Sequence, residues 1–298
     1  MTSKSLQNEN KSAALSRLFS PGLFRQLARE GQSSRLVRLL NEAELLNDLA
    51  SKNLAQVFDE AFQISQAKNL RSEQVYKAAI THKVLLGTHS LKTASLFTEF
   101  RVGNSKADVV VVNGTSTVYE IKSEKDSLER LESQLADYFQ VFSRVNVICA
   151  EKHVQKVLNC TPASVGILTL NSRYQISTLR EATDCDKRVD KAVLFDSLSL
   201  TEAATIIERL GVQIPDVPNT SKYQVMKSIF CELPHYKLKQ EAVKALRESR
   251  SVEHLSDFIL QLPRSLQPLG VTTRIRKMDQ DRLLKTINQP AENILKWN

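Results

Sequence analysis

Long apolar runs are missing from this chain of 298 residues. No stretch approaches the roughly 20 residues that a bilayer-crossing helix needs, so no membrane partner is expected. The opening MTSKSLQNENKSAAL is polar and lacks the apolar centre of a secretory signal, which points to the cytoplasm. Cysteine is scarce: Cys149, Cys160, Cys185 and Cys231 are widely spaced, with no Cys-x-x-Cys among them. That spacing argues for reduced thiols and against disulfides, a zinc site or an iron–sulfur cluster. There is also no Gly-rich phosphate loop and no internal repeat.

What is present begins with charge. The formal net charge is +8 and the pI about 9.3, which favours a polyanionic partner. Lys and Arg are scattered, so folding must assemble any basic patch.

The most informative stretch is Ala107 to Lys122. Two runs rich in β-branched residues flank Asn113-Gly114, a strong hairpin signal because both residues tolerate positive φ. The reading is a pair of antiparallel strands, Lys106–Val112 and Thr115–Lys122. Strand alternation puts Asp108 on one face with Val110 and Val112, and Glu120 on one face with Val118 and Lys122. The hairpin then gathers two carboxylates and an ammonium at one edge of an apolar sheet. Oxygen donors of this kind suit Mg²⁺ or Mn²⁺, with Asp108, Glu120 and the Ile121 carbonyl as ligands. Lys122 is placed to orient water or stabilise charge on a phosphate. An isolated Glu-x-Lys is more often only an edge salt bridge.

The chain before the hairpin reads as disordered over residues 1–12, then helical from Ser20-Pro21 to Ile64. Ser72 opens a further helix, with His82 and His89 near its end in structural or surface roles. Leu96–Val102 is a strand carrying Glu99, a candidate extra metal ligand, and Lys106 is a candidate phosphate contact. After the hairpin, Asp126-Ser-Leu-Glu129 has a capping-box pattern that opens a helix with an apolar stripe at Leu128, Leu131, Leu135, Phe139 and Phe142. Gln134 and Tyr138 lie on one edge of it. Strands follow at Val145–Cys149 and Gly166–Leu170, with a helix over Glu151–Leu158 between them and an edge strand at Tyr174–Ile176. From Leu198 the period is helical, ending in a basic tail with Arg274, Arg276, Lys277, Arg282 and Lys285. Three segments result: a helical region over 1–67, a core over 68–189 and a separable helical region over 190–298.

Asp108, Glu120-Ile-Lys122 and Gln134-x-x-x-Tyr138 across a hairpin and a helix together resemble the PD-(D/E)XK nuclease superfamily, in its RecB-like branch. Ala107 stands where the motif's proline would be. The phrase from Glu99 to Tyr138 also resembles a bacterial family of that superfamily known mainly from genome sequences. The resemblance implies an α/β fold, a restriction-endonuclease-like mixed sheet flanked by helices. It implies Mg²⁺-dependent hydrolysis of phosphodiester bonds, in DNA more than RNA. Asp108, Glu120 and Lys122 would be catalytic, Glu99 would assist the metal, and Gln134, Tyr138 and Lys106 would position the strand. The alternative is a module on the same fold that binds nucleic acid or a protein partner without cutting.

Overall fold

Alternation of helical and extended periods along the chain builds the layers. A computed structural model describes residues 3–184 and 189–297. Five helices come first: α1 (Ser3–Leu18), α2 (Pro21–Glu30), α3 (Ser34–Glu42), α4 (Leu54–Ser65) and α5 (Glu73–Ile80), the last running into a π-turn over Thr81–Leu85. Strands β1 (Ser95–Val102), β2 (Ser105–Val112) and β3 (Ser116–Lys122) follow. Then come α6 (Leu131–Tyr138), β4 (Arg144–Cys149), α7 (Val154–Cys160), β5 (Gly166–Leu170) and β6 (Ile176–Arg180). The remaining helices are α8 (Lys191–Ser197), α9 (Leu200–Arg209), α10 (Asn219–Glu232), α11 (His235–Ser249), α12 (Ser256–Gln261), α13 (Gln267–Thr272) and α14 (Lys277–Asn288).

The six strands form one mixed sheet in sequence order. β1, β2 and β3 are antiparallel, β3, β4 and β5 are parallel, and β6 returns antiparallel to β5. The expected α/β architecture, a mixed sheet with helical N- and C-terminal regions, is therefore present. The Asn113-Gly114 turn pairs Val112 with Ser116, and Gly114 takes a φ of 99° that a side chain would resist.

Each face of the sheet carries its own core. Leu96, Val109, Val111, Ile121, Ile148 and Leu168 face α1–α5 together with α12–α14. Phe97, Phe100, Val110, Val118, Val147 and Ile167 face α6–α11. The 190–298 segment thus contributes to both layers.

Several local expectations need correction. Residues 1 and 2 lie outside the described residues, and the expected disorder fails over residues 3–12, since α1 begins at Ser3. Its composition is polar, but Ala14, Leu15 and Leu18 are buried, and Ser12 Oγ donates to the Leu70 carbonyl at 3.3 Å. Docking stabilises that helix, not its own apolarity. Asp126 does not open α6. Its Oδ2 instead accepts from the Ser123 amide at 2.7 Å and hydroxyl at 2.6 Å, and the helix starts at Leu131. Short polar side chains readily bond nearby backbone in this way and compete with helix. The edge strand lies at Ile176–Arg180, because Tyr174 turns the chain with a φ of 56°. Helix resumes at Lys191, before Leu198, with Asp190 accepting from Ala192 and Val193 at 2.8 and 3.0 Å. The basic tail is largely α14, where Arg276 and Arg282 pair with buried Asp279 at 2.9 and 3.3 Å.

Strict alternation also fails at one place. Ala107 and Val110 belong to the same core, three residues apart, as do Phe97 and Phe100 on the partner strand. The slip falls at Glu99, whose φ is 60°, and at Asp108 opposite it. Asp108 is therefore not simply in line with Val110 and Val112.

His82 ties the layers together. Its Nε2 lies 2.9 Å from the Arg264 carbonyl, which requires a proton on that nitrogen, so Nδ1 accepts from the Tyr174 hydroxyl at 3.0 Å. Burial lowers its pKa to about 4. A depressed pKa means that the unfolded chain takes up the proton first. The His82 contribution is complete above pH 6.5 and is lost as pH falls towards 4, at up to about 1.4 kcal/mol per pH unit. Urea unfolding at pH 6 and pH 5 should show this slope in the wild type. His82→Gln should be less stable at pH 7 and shallower over that interval by about that amount; an unchanged slope contradicts the assignment.

Candidate functional site

β3 ends as a fork. The β2–β3 ladder holds from Val112–Ser116 to Val109–Tyr119. Beyond it Asp108 reaches across with its side chain, and Oδ2 accepts from the Ile121 amide at 2.7 Å. Ile121 thus meets Asp108 through its N–H, while its side chain is buried in the helical layer of α1–α5.

Glu120 and Lys122 sit two residues apart on β3, and both are buried, at 2% and 5% exposure. Lys122 Nζ donates to Glu120 Oε1 at 2.9 Å and to Gln134 Oε1 at 2.8 Å. Tyr138 Oη donates to Glu120 Oε2 at 2.7 Å and lies 3.0 Å from the Lys106 carbonyl. Burial, then the charge of Glu120, pushes the Tyr138 phenol far above its usual range, so it remains a donor. The reason Gln134 and Tyr138 both reach β3 is their i,i+4 spacing on α6, whose Leu131 and Leu135 anchor the helix to the sheet. An ammonium and a carboxylate this deeply buried are tolerated because each has further hydrogen bonds.

A second set of charges lies on the other side of Asp108. Glu99 Oε1 is 2.5 Å from Lys77 Nζ, and its Oε2 is 2.9 Å from Lys106 Nζ. Lys77 also binds Glu73 at 2.6 Å. Burial alone would raise the Glu99 carboxyl, but Lys77 and Lys106 outweigh it and hold it below its usual value. One carboxylate oxygen from each of Glu73, Glu99 and Asp108 lies within 4.8 Å of the others. Oxygen donors so arranged match the preference of Mg²⁺ or Mn²⁺.

Asp108 lies between the two sets. Burial, then the charge of Glu120, pushes its carboxyl up to about 8, against two lowering effects, the Ile121 hydrogen bond and the charge of Lys77. The sequence-derived residues thus fall into two neighbouring groups, Glu120–Lys122–Gln134–Tyr138 and Glu99–Lys106, with Asp108 between them. Sequence reasoning missed Glu73 and Lys77. Their signal was an i,i+4 acid–base pair at the start of the helix that precedes the sheet.

A raised carboxyl has a definite effect on stability. Below pH 3.8 the neutral acid is present in both folded and unfolded chains; as pH rises towards 8, the unfolded chain ionises and the folded one resists. Asp108→Asn keeps an oxygen for the Ile121 amide and removes this cost. It should be more stable than the wild type at pH 8 by an amount on the order of a few kcal/mol, and the gap should close towards pH 4. Thermal melts across that range decide it: a variant less stable than the wild type at pH 8 would contradict the burial argument.

The comparisons with known proteins point to one family. The profile described as "Bacteriophage P4 protein cII" matches residues 66–266. "Protein cII" of Enterobacteria phage P4 is 26% identical over 201 residues, covering 66% of this chain and 74% of that protein. No solved structure matches significantly. The matched region spans β1 to β6 and most of the C-terminal helices, far more than the short motif from Asp108 to Tyr138. The motif's resemblance to the PD-(D/E)XK nucleases is thereby corrected: the extended similarity leads elsewhere, and the chain belongs to the bacteriophage P4 protein cII family.

Proposed function

We propose that the chain hydrolyses phosphodiester bonds of nucleic acid, DNA before RNA, with Mg²⁺ or Mn²⁺ at Asp108 and Glu120. The observation that carries this reading is the crowding of carboxylates around Asp108 beside a buried ammonium. Asp108 resists ionisation among Glu120 and Glu73, a cost that a bound cation would offset. The donor set of Asp108, Glu99 and Glu73 is made of hard oxygens and fits such an ion, with the charge of Glu120 felt at Asp108. When bound, the cation would acidify a water and neutralise charge on the phosphate.

The remaining work falls to side chains. Lys122 supplies positive charge for the phosphate oxygens, and Gln134 holds its ammonium in place. Tyr138 orients Glu120. Lys106 is exposed, and it can exchange Glu99 for a strand phosphate. Positioning by Gln134 and Tyr138 therefore acts through Lys122 and Glu120.

A specific observation favours a second reading. Both oxygens of Glu120 are taken, by Lys122 and Tyr138, and the side chain is 2% exposed. A module that binds nucleic acid or a protein partner without cutting would have a closed network of this kind.

Purified protein incubated with linear, circular and single-stranded DNA and with RNA, in Mg²⁺, Mn²⁺ or EDTA, separates the two. Hydrolysis predicts cleavage that EDTA stops and that Asp108→Asn and Glu120→Gln abolish. Lys122→Ala should lower turnover roughly a hundred- to a thousandfold. Mn²⁺ should also raise the melting temperature of the wild type but not of Asp108→Asn. Cleavage that persists in EDTA or in Glu120→Gln overturns the mechanism. Salt-sensitive binding without cleavage in every condition favours the second reading.

A further inference from the structure

Beside the acidic group lies a cavity of 270 Å³ that the proposed hydrolysis does not use. Its walls come from distant parts of the chain: Phe19 after α1, Phe62 on α4, Ala78 on α5, Glu99 on β1 and Ser265 ahead of α13. The Phe19 and Phe62 rings meet edge to face at 5.4 Å. Both rings are buried, whereas Glu99 is exposed. Ser265 is 2% exposed, and its Oγ is buried without a hydrogen-bond partner among the described residues. Its amide is fixed by Asp59 Oδ1 at 3.0 Å, so the loop is held while the hydroxyl is left over. A buried hydroxyl without a partner is costly unless a water, an ion or a ligand meets it.

The cavity shares Glu99 and Lys77 with the charged group next to Asp108. Glu99 itself holds a φ of 60°, a strained conformation for a residue with a side chain and one that clusters at ligand sites. At 270 Å³ the space falls just under the common range of small-ligand pockets, about 300–1,000 Å³, which suits one planar ring system. Aromatic walls, the Ser265 side chain and the Lys77 ammonium beside Glu99 form a consistent set of contacts for a nucleotide unit.

We infer that this cavity receives a single nucleobase, turned out of the strand whose phosphodiester lies at Asp108 and Glu120; the inference rests on the proposed hydrolysis for the position of that phosphate. Phe19 and Phe62 contact the ring, and the Ser265 hydroxyl bonds its polar edge. Lys77 and Lys106, both ion-paired to Glu99, face the connecting phosphate side.

The test uses fluorescein-labelled single-stranded tetranucleotides, either carrying all bases or fully abasic with the same charge. Anisotropy is read in EDTA and in Ca²⁺ for the wild type, Ala78→Leu, which fills the cavity, and Ser265→Ala, which removes the hydroxyl. Melting curves confirm that each variant is folded. The wild type should prefer the base-bearing strand roughly ten- to a hundredfold. Ala78→Leu should abolish the preference, and Ser265→Ala should reduce it about fivefold while the fold remains as stable as before. Equal binding of both strands by the wild type, or a preference unchanged in both variants, overturns the pocket. Cleavage of the same strands in Mg²⁺ and Mn²⁺ is scored separately. Base-dependent binding without cleavage keeps the pocket and removes the hydrolysis, whereas cleavage indifferent to the bases and to Ala78→Leu does the reverse.

Discussion

The buried ion pair of Glu120 and Lys122 is the constraint on which the rest of the site depends. A carboxylate and an ammonium on one strand, both removed from water, need further hydrogen bonds to be stable. Tyr138 and Gln134 supply them, and this fixes where α6 must lie against the sheet. The position of α6 in turn fixes the Gly103 turn, because Asp137 Oδ2 accepts from Ser105 Oγ at 2.6 Å at the start of β2. A Cβ on Gly103 would come within 2.8 Å of Asp137, and its φ of 56° favours glycine. One buried charge pair thereby propagates into the register of two strands.

Asp108 depends on the same pair in the opposite sense. The Lys122 ammonium is bonded to Glu120 and Gln134 and not to Asp108. Asp108 is left with one backbone hydrogen bond and like-charged neighbours, which is why its carboxyl favours the neutral acid. The strain at Glu99, opposite it on β1, belongs to the same local balance between sheet geometry and charge.

Much of this was legible in the residues. Asn113-Gly114 between β-branched runs specified the hairpin, and the Gly166–Leu170 strand was read to its ends. Glu120, Lys122, Gln134 and Tyr138 were picked out on spacing, and they do meet. The slip at Asp108 was not legible, because period-two alternation assumes an unbroken pleat, and a left-handed residue such as Glu99 leaves no mark in composition. Helix α1 was missed for a different reason: its stability comes from packing on α3 and α4, outside the helix's own sequence, with Ser12 reaching as far as Leu70. Family membership was misjudged because a five-residue constellation weighs chemistry at a few points, whereas similarity over residues 66–266 weighs most of the scaffold.

The sharing of one core by the first and last helices has a consequence for how the molecule is made. The layer of α6–α11 against the sheet is complete once the chain has passed Ser249. The opposite layer includes Leu15 and Leu23 at one end and Leu283, Ile287 and Ile294 at the other. On a ribosome, where the chain emerges from its N-terminus, α1–α5 wait for α12–α14 with part of their apolar surface uncovered. The order of synthesis and the order of closure therefore run against each other on that face. The earliest-made helices are among the last to be sealed, and contacts of such long sequence separation are slow to form.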